Sequence, residues 1–312
     1  MGESLEMARR ITFLDGGMGR ELKRMGAPFR QPEWSALALM EAPDFVSKAH
    51  VAFIAAGAEV VTTNSYAVVP FHIGEARFAA DGRMLAERAG RLARAAADGA
   101  GRKVLVAASL PPLFGSYRPE LFDAACAPGL LRTLVEGLSP HADLWLAETL
   151  GSIAEAAAVA EALEGDALAG DACPLWISFT LADDRPEPSD PRLRSGEPVA
   201  EAVRAAVRLG AAAVLFNCSQ PEVMAPALEA ARDTLAAQDG AIEIGAYANA
   251  FPPKRADEEA NAWLDELRTD LDPPGYLAFA RDWVARGATI VGGCCGIGPA
   301  HIAALRAELD RT

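Results

Sequence analysis

Residues 199–246 read VAEAVRAAVRLGAAAVLFNCSQPEVMAPALEAARDTLAAQDGAIEIGA, and the architecture follows from them. Val199–Arg208 and Pro221–Gln238 are Ala-rich stretches with helical spacing. Ala213–Phe216 lies between them and Ile242–Ala246 follows. Each is a short apolar run, too short for a helix, that stops at polar residues. Strands that are apolar on both faces and alternate with helices belong to a parallel sheet covered on both sides.

The same rhythm runs outward in both directions. Further strands are expected at Ile11–Leu14, Glu59–Thr63, Val104–Ser109, Leu144–Ala147, Leu175–Phe179 and Thr289–Val291. Helices are expected at Asp44–Ala56, Gly82–Ala97, Ile153–Leu163 and Tyr276–Arg286. Pro43-Asp44, Ser152 and Pro198 supply start signals. Eight strand–helix units in 312 residues match a single (β/α)8 TIM barrel. A doubly wound sheet would bind a nucleotide through a Gly-x-Gly-x-x-Gly turn. Here the first turn is Asp15-Gly16-Gly17-Met18-Gly19, at a different spacing. Two extended βα loops interrupt the rhythm after strands five and seven, Asp183–Pro198 and Phe251–Pro274. Long loops on that face form lids or substrate walls, or are solvated insertions.

Composition narrows the function. With 43 acidic and 29 basic residues the formal charge is −14, and there is no basic stripe to neutralise phosphates, so no nucleic-acid partner is expected. No apolar run is long enough for a membrane span, and the first ten residues lack the pattern of a signal peptide. The expected location is therefore the reducing cytoplasm. Five cysteines, two of them adjacent, make a poor disulfide framework and suit metal or thiol chemistry better. The sequence sets no oligomeric state.

A barrel carries its chemistry at the C-terminal strand ends. Those ends offer Asp15, Thr63-Asn64-Ser65-Tyr66, Ser109 with Ser116-Tyr117, Glu148-Thr149, Ser178-Phe179-Thr180, Asn217-Cys218-Ser219, Tyr247 with Asn249, and Gly292-Gly293-Cys294-Cys295-Gly296. Cys218, Cys294 and Cys295 thus come from the ends of strands six and eight. Consecutive strand residues face opposite ways, so both adjacent sulfurs reach one ion only if the glycines turn the chain out of strand geometry. Three thiolates need a cation, and Zn2+ is the soft, redox-inert choice, with a fourth position open as in catalytic sites. The structural alternative, three small core residues, suits a glycine-flanked cysteine pair badly. Cys126 and Cys173 lie away from the mouth. His50, His141 and His301 sit in helices or at the barrel bottom, and His72 after strand two is read as packing. Tyr117 and Phe179 are the aromatic faces expected at this mouth, a surface that suits a cationic ligand.

These residues resemble the homocysteine S-methyltransferase family. The carrying segments are Leu14-Asp15-Gly16-Gly17-Met18-Gly19-Arg20-Glu21-Leu22, Trp34-Ser35-Ala36, Val61-Thr62-Thr63-Asn64-Ser65-Tyr66, Glu148-Thr149, Asn217-Cys218-Ser219 and Gly292-Gly293-Cys294-Cys295-Gly296. The resemblance implies one barrel domain over residues 1–312, with Zn2+ on Cys218, Cys294 and Cys295. It implies that Glu148 holds the substrate ammonium, and that Asp15 and Gly16 bind near the amino-acid end of homocysteine. The structural alternatives are an internal ion pair for Glu148 and a helix N-cap for Asp15. One branch of the family has Tyr after the strand-four Glu. This chain has Thr149, so the fourth metal position is expected to take water or the Asn217 amide. Strand seven reads Tyr247-Ala248-Asn249 where Tyr-Pro-Asn is common.

The implied activity is zinc-dependent methyl transfer to the thiol of L-homocysteine, giving methionine. With no added folate or corrinoid domain, the expected donor is S-methylmethionine or S-adenosylmethionine. Betaine as donor, or another thiol or selenocysteine as acceptor, are alternatives. A barrel lyase or aldolase would want a strand-end Lys, which is absent from the ends named above. A non-catalytic zinc and thiol sensor is the alternative of a different class.

Overall fold

The structure is a computed structural model that describes residues 10–164, 173–184, 187–237, 242–252 and 266–310. In chain order it contains β1 (Thr12–Phe13), α1 (Met18–Arg24), α2 (Ser35–Glu41), α3 (Pro43–Ala55), β2 (Val60–Thr62), α4 (Pro70–Ile73), α5 (Glu75–Asp98), β3 (Leu105–Leu110) and α6 (Ala127–Leu138). These are followed by β4 (Leu144–Leu150), α7 (Ile153–Glu164), β5 (Leu175–Phe179), α8 (Val199–Arg208), β6 (Ala213–Asn217), α9 (Pro221–Ala236), β7 (Glu243–Tyr247), α10 (Pro273–Ala285), β8 (Ile290–Val291) and α11 (Pro299–Leu309).

All eight strands are parallel and neighbour one another in sequence order, with β1 beside β8. The ring closes where Leu14 bridges Val60 and the Glu59 amide donates to the Phe13 carbonyl at 2.7 Å. The chain is therefore a (β/α)8 barrel, as the alternation predicts.

Strand alternation separates two cores. Leu14, Val60, Ala107, Leu144, Leu146, Trp176, Leu215 and Ile290 pack together inside the barrel. Phe13, Val61, Trp145, Ile177, Phe179, Phe216 and Val291 belong to the larger layer between sheet and helices. Gly245 of β7 pairs with Ile290 of β8. A Cβ there would lie 2.5 Å from the Ile290 carbonyl oxygen, so only glycine fits.

Several boundaries differ from expectation. The end strands β1 and β8 are two residues each, shorter than the apolar runs suggest. The helix expected from Gly82 begins at Glu75, because Gly82 packs against Phe78 and Thr133 inside a 24-residue helix. β4 continues three residues past Ala147, with a register irregularity before Leu150. In the segment after β5, Leu181 bridges Leu193 and Arg192 bridges Pro198. Pro273 and Pro274 of the second long segment open α10, while residues 253–265 lie outside the described residues. Among the described residues no helix is long and apolar enough to cross a membrane.

Candidate active site at the C-terminal mouth

The strand ends surround a cavity whose wall includes Asp15, Glu148, Tyr247, Cys218, Cys294 and Cys295. β6 delivers Cys218, which follows Asn217 with a left-handed backbone, φ 52°. β8 stops at Val291, and the chain then turns through Gly292 and Gly293. A Cβ on Gly293 would lie 2.1 Å from the Ile297 side chain, and one on Gly17 would lie 2.6 Å from the Cys294 carbonyl oxygen. This tight turn presents both adjacent thiols to the cavity. The three sulfurs lie within 4.8 Å of one another. Cys218 and Cys294, with Cα atoms 5.6 Å apart, are close enough to pair, and Cys295 lies beside them. Three convergent sulfurs at a cavity wall fit a soft divalent ion such as Zn2+. Cys126 is exposed and Cys173 half-buried, and neither belongs to this group.

Glu148 projects inward from β4. It accepts from Ser109 Oγ at 2.5 Å and from the Tyr247 hydroxyl at 3.4 Å. Among the described residues no cation pairs with it, so the internal ion pair is not formed. Burial pushes its carboxyl up to about 7, against the lowering effect of those two hydrogen bonds. Asp15 leaves β1 and accepts from the Thr62 amide at 2.8 Å and from Thr62 Oγ1 at 3.0 Å. It is not a helix cap, because Gly17 holds the N-cap of α1. Burial raises Asp15 to about 7. The Thr62 hydrogen bonds oppose this and the charge of Glu148 adds to it. Gly16 also lines the cavity, and a Cβ there would lie 2.2 Å from the Ile297 carbonyl oxygen.

Two expected contacts are not made. Asn217 continues the inward row of β6, but its amide stops short of the cavity. Its Oδ1 accepts from the Thr149 amide at 3.0 Å and from Ser178 Oγ at 2.8 Å, and its Nδ2 donates to Thr149 Oγ1 at 2.8 Å. The amide is thus engaged with Thr149 and Ser178 rather than with the cavity wall. Phe179 faces the helix layer, because the inward position on β5 belongs to Ser178. Tyr117 does line the cavity, with φ 64°. The Arg194 guanidinium sits 5.0 Å from its ring centroid and pairs with Asp183 at 2.5 Å. His72 is buried, with Nδ1 2.7 Å from the Pro32 carbonyl, a packing role as expected.

The cavity also has aromatic walls that sequence reasoning left out of the site. Trp34 enters from the loop before α2, and Tyr66, from the segment after β2, hydrogen-bonds Ser116 Oγ at 2.7 Å. Tyr66 belongs to a strand-end motif, a signal that was available. Trp34 lies outside any periodic element, so its direction had no pattern to reveal it.

A profile of the homocysteine S-methyltransferase family matches residues 12–309. Homocysteine S-methyltransferase 1 of Brassica oleracea var. italica is 30% identical, covering 98% of this chain and 96% of its own. Homocysteine S-methyltransferase of Escherichia coli (strain K12) is 30% identical, covering 96% and 95%. The crystal structure of the E. coli homocysteine methyltransferase MmuM in its metallated form superposes with a TM-score of 0.74. It is 28% identical and covers 95% of this chain and 96% of that one.

Proposed function

The chain belongs to the homocysteine S-methyltransferase family, and from that premise we propose that it is an S-methyltransferase moving a methyl group from a small activated donor to the thiol of L-homocysteine, giving methionine. The observation that carries this reading is one cavity holding three convergent cysteine sulfurs and an unpaired buried carboxylate. The family profile spans nearly all of the chain, which supports one barrel domain over residues 1–312. Cysteines that serve as metal-binding thiols suit the reducing cytoplasm.

Cys218, Cys294 and Cys295 would hold Zn2+. When bound, the metal supplies ionisation of the substrate thiol at neutral pH, which a free thiol with pKa of roughly 8.5 lacks.

The chain's own residues do the positioning. Glu148, aimed by Ser109 and Tyr247, takes the substrate ammonium. Asp15, fixed by Thr62, lies beside it with the side-chain-free turn of Gly16 and Gly17, where a carboxylate meets backbone rather than bulk. An amino acid held there directs its sulfur toward the cysteines. Trp34, Tyr66 and Tyr117 line the remaining wall and suit a sulfonium donor, each cation–π contact contributing about 0.5–2 kcal/mol. Arg194 covers one face of Tyr117, so only the other face is open to a donor. The homocysteine sulfur forms its bond to the methyl carbon as the donor sulfur–methyl bond breaks. The thiol proton goes to solvent and the donor leaves as a neutral thioether. Holding both partners in line substitutes for effective concentrations of about 10⁵ M or more.

S-methylmethionine or S-adenosylmethionine is the preferred donor. A panel of these two and betaine, run against L-homocysteine and L-selenocysteine, tests the reading by product formation. Methionine from a sulfonium donor supports it. No methyl transfer from any donor to any acceptor sinks it in favour of a zinc and thiol sensor.

A further inference from the structure

We propose that Asn217 is a positioning residue that fixes the amino-acid anchor Glu148 and the metal ligand Cys218 relative to each other. The proposal rests on the roles given above to those two residues.

β4 carries one residue more than its neighbour. Ala147 pairs with Ile177 and Leu150 pairs with Phe179, three steps on one strand against two on the other. Such a bulge leaves its extra residue outside the ladder. Here the irregular pair is Glu148-Thr149, and Thr149 is left-handed, with φ 61°, an unfavourable conformation for a β-branched residue. The bulge also decides which side chains face the mouth. Leu144 and Leu146 point into the barrel, so unbroken alternation would send Leu150 inward with Glu148. Instead Leu150 joins the outer layer, and Glu148 and Thr149 line the cavity.

Something must hold Thr149 there, because its buried amide has lost its ladder partner. Asn217 does so at two points, accepting from the Thr149 amide at 3.0 Å and donating to Thr149 Oγ1 at 2.8 Å. Its Oδ1 also accepts from Ser178 Oγ at 2.8 Å, so one neutral, fully buried amide ties the ends of β4, β5 and β6. The next residue along is Cys218, itself left-handed. A planar amide clamped at both ends fixes the peptide from which the Cys218 sulfur departs. Glu148 and Cys218 therefore lie one residue to either side of the same hydrogen-bonded fork.

The test compares wild type, Asn217→Ala and Asn217→Ala/Thr149→Gly, with Cys218→Ser as a control. Zinc affinity is measured by chelator competition, the metal environment by the absorption of cobalt-loaded protein, and L-methionine affinity by calorimetry. Methionine has the ammonium but no thiol. Asn217→Ala is expected to weaken zinc binding by about 10–100-fold, the usual cost of losing support behind a ligand, with an altered cobalt spectrum. Methionine binding should weaken at least ~10-fold, since Glu148 loses its placement. Glycine adopts the left-handed conformation unaided, so the double variant should regain methionine affinity but not zinc affinity. Zinc and methionine affinities both unchanged in Asn217→Ala, whatever its melting temperature, overturn the proposal. If Asn217→Ala does not fold, Thr149→Ala is read by the same two affinities, because it removes one arm of the fork. Zinc retained by Cys218→Ser defeats the metal reading separately, and the methionine arm then decides Asn217.

Discussion

Asp15 and Glu148, at the ends of β1 and β4, open onto one buried cavity, and the charge on Glu148 helps hold the Asp15 carboxyl up at about 7. Each is raised mainly by loss of water, Glu148 likewise to about 7. A cation entering between them favours the ionised forms of both.

The pH dependence of ligand binding follows from this. A carboxyl raised to about 7 is largely protonated at pH 6, so an ammonium ligand must displace a proton there. L-methionine affinity should therefore rise with pH, by up to about tenfold per unit below 7 for each carboxyl that ionises, and level off above it. Titration calorimetry from pH 5.5 to 8.5 measures the slope. Glu148→Gln should make it shallower, leaving the contribution of Asp15. A flat profile in the wild type would show that the carboxylates do not meet the ligand.

Glu148→Gln should also retain zinc while weakening L-homocysteine binding by one to two decades, because a buried charge-assisted hydrogen bond contributes about 1.5–3 kcal/mol. Equilibrium binding with parallel metal analysis checks this. Unchanged affinity in a less stable protein would make Glu148 structural.

Replacing Cys218, Cys294 or Cys295 by Ser should abolish zinc retention and activity. Cys126→Ser and Cys173→Ser should leave both near wild type, since neither sulfur is in the cluster. Elemental analysis of the five variants reads this directly, and full zinc occupancy in Cys294→Ser would contradict the ligand set.

Homocysteine should release about one more proton on binding at pH 7 than homoserine, its hydroxyl counterpart, because only the thiol ionises. The comparison is needed because Asp15 and Glu148 release protons with either ligand. Calorimetry in buffers of different ionisation enthalpy counts the difference. Equal release by both ligands, with affinity unaffected by zinc removal, would rule out thiol activation by the metal.

The barrel and its thiols were legible for a physical reason. A strand buried on both faces must be apolar throughout, and two cysteines among glycines have no use in a core. The same apolarity hid other features. Leu175–Phe179 reads the same whichever residue faces inward, so Phe179 is expected at the mouth while Ser178 takes the inward position. The β4 bulge adds one residue to a run with no polar rhythm to betray it, and the hydrogen bonds of Asn217 to that bulge were hidden with it. Trp34 follows from a loop path that no periodicity describes.

The ring of strands is uneven around its circumference. β6 and β7 share five register pairs, whereas β1 and β8 share two, and β1 meets β2 through one bridge. Native-state amide exchange should find its lowest protection along that thin arc, because sparse ladders open at lower free energy than dense ones. The arc carries Asp15 on one side and the cysteine turn on the other, stitched by the Gly293 amide donating to the Asp15 carbonyl at 2.9 Å. A substrate touching both sides acts as a clasp. Its binding should slow exchange at Gly293 and Leu14 far more than at Val214, making the enzyme's weakest seam the part its ligand secures.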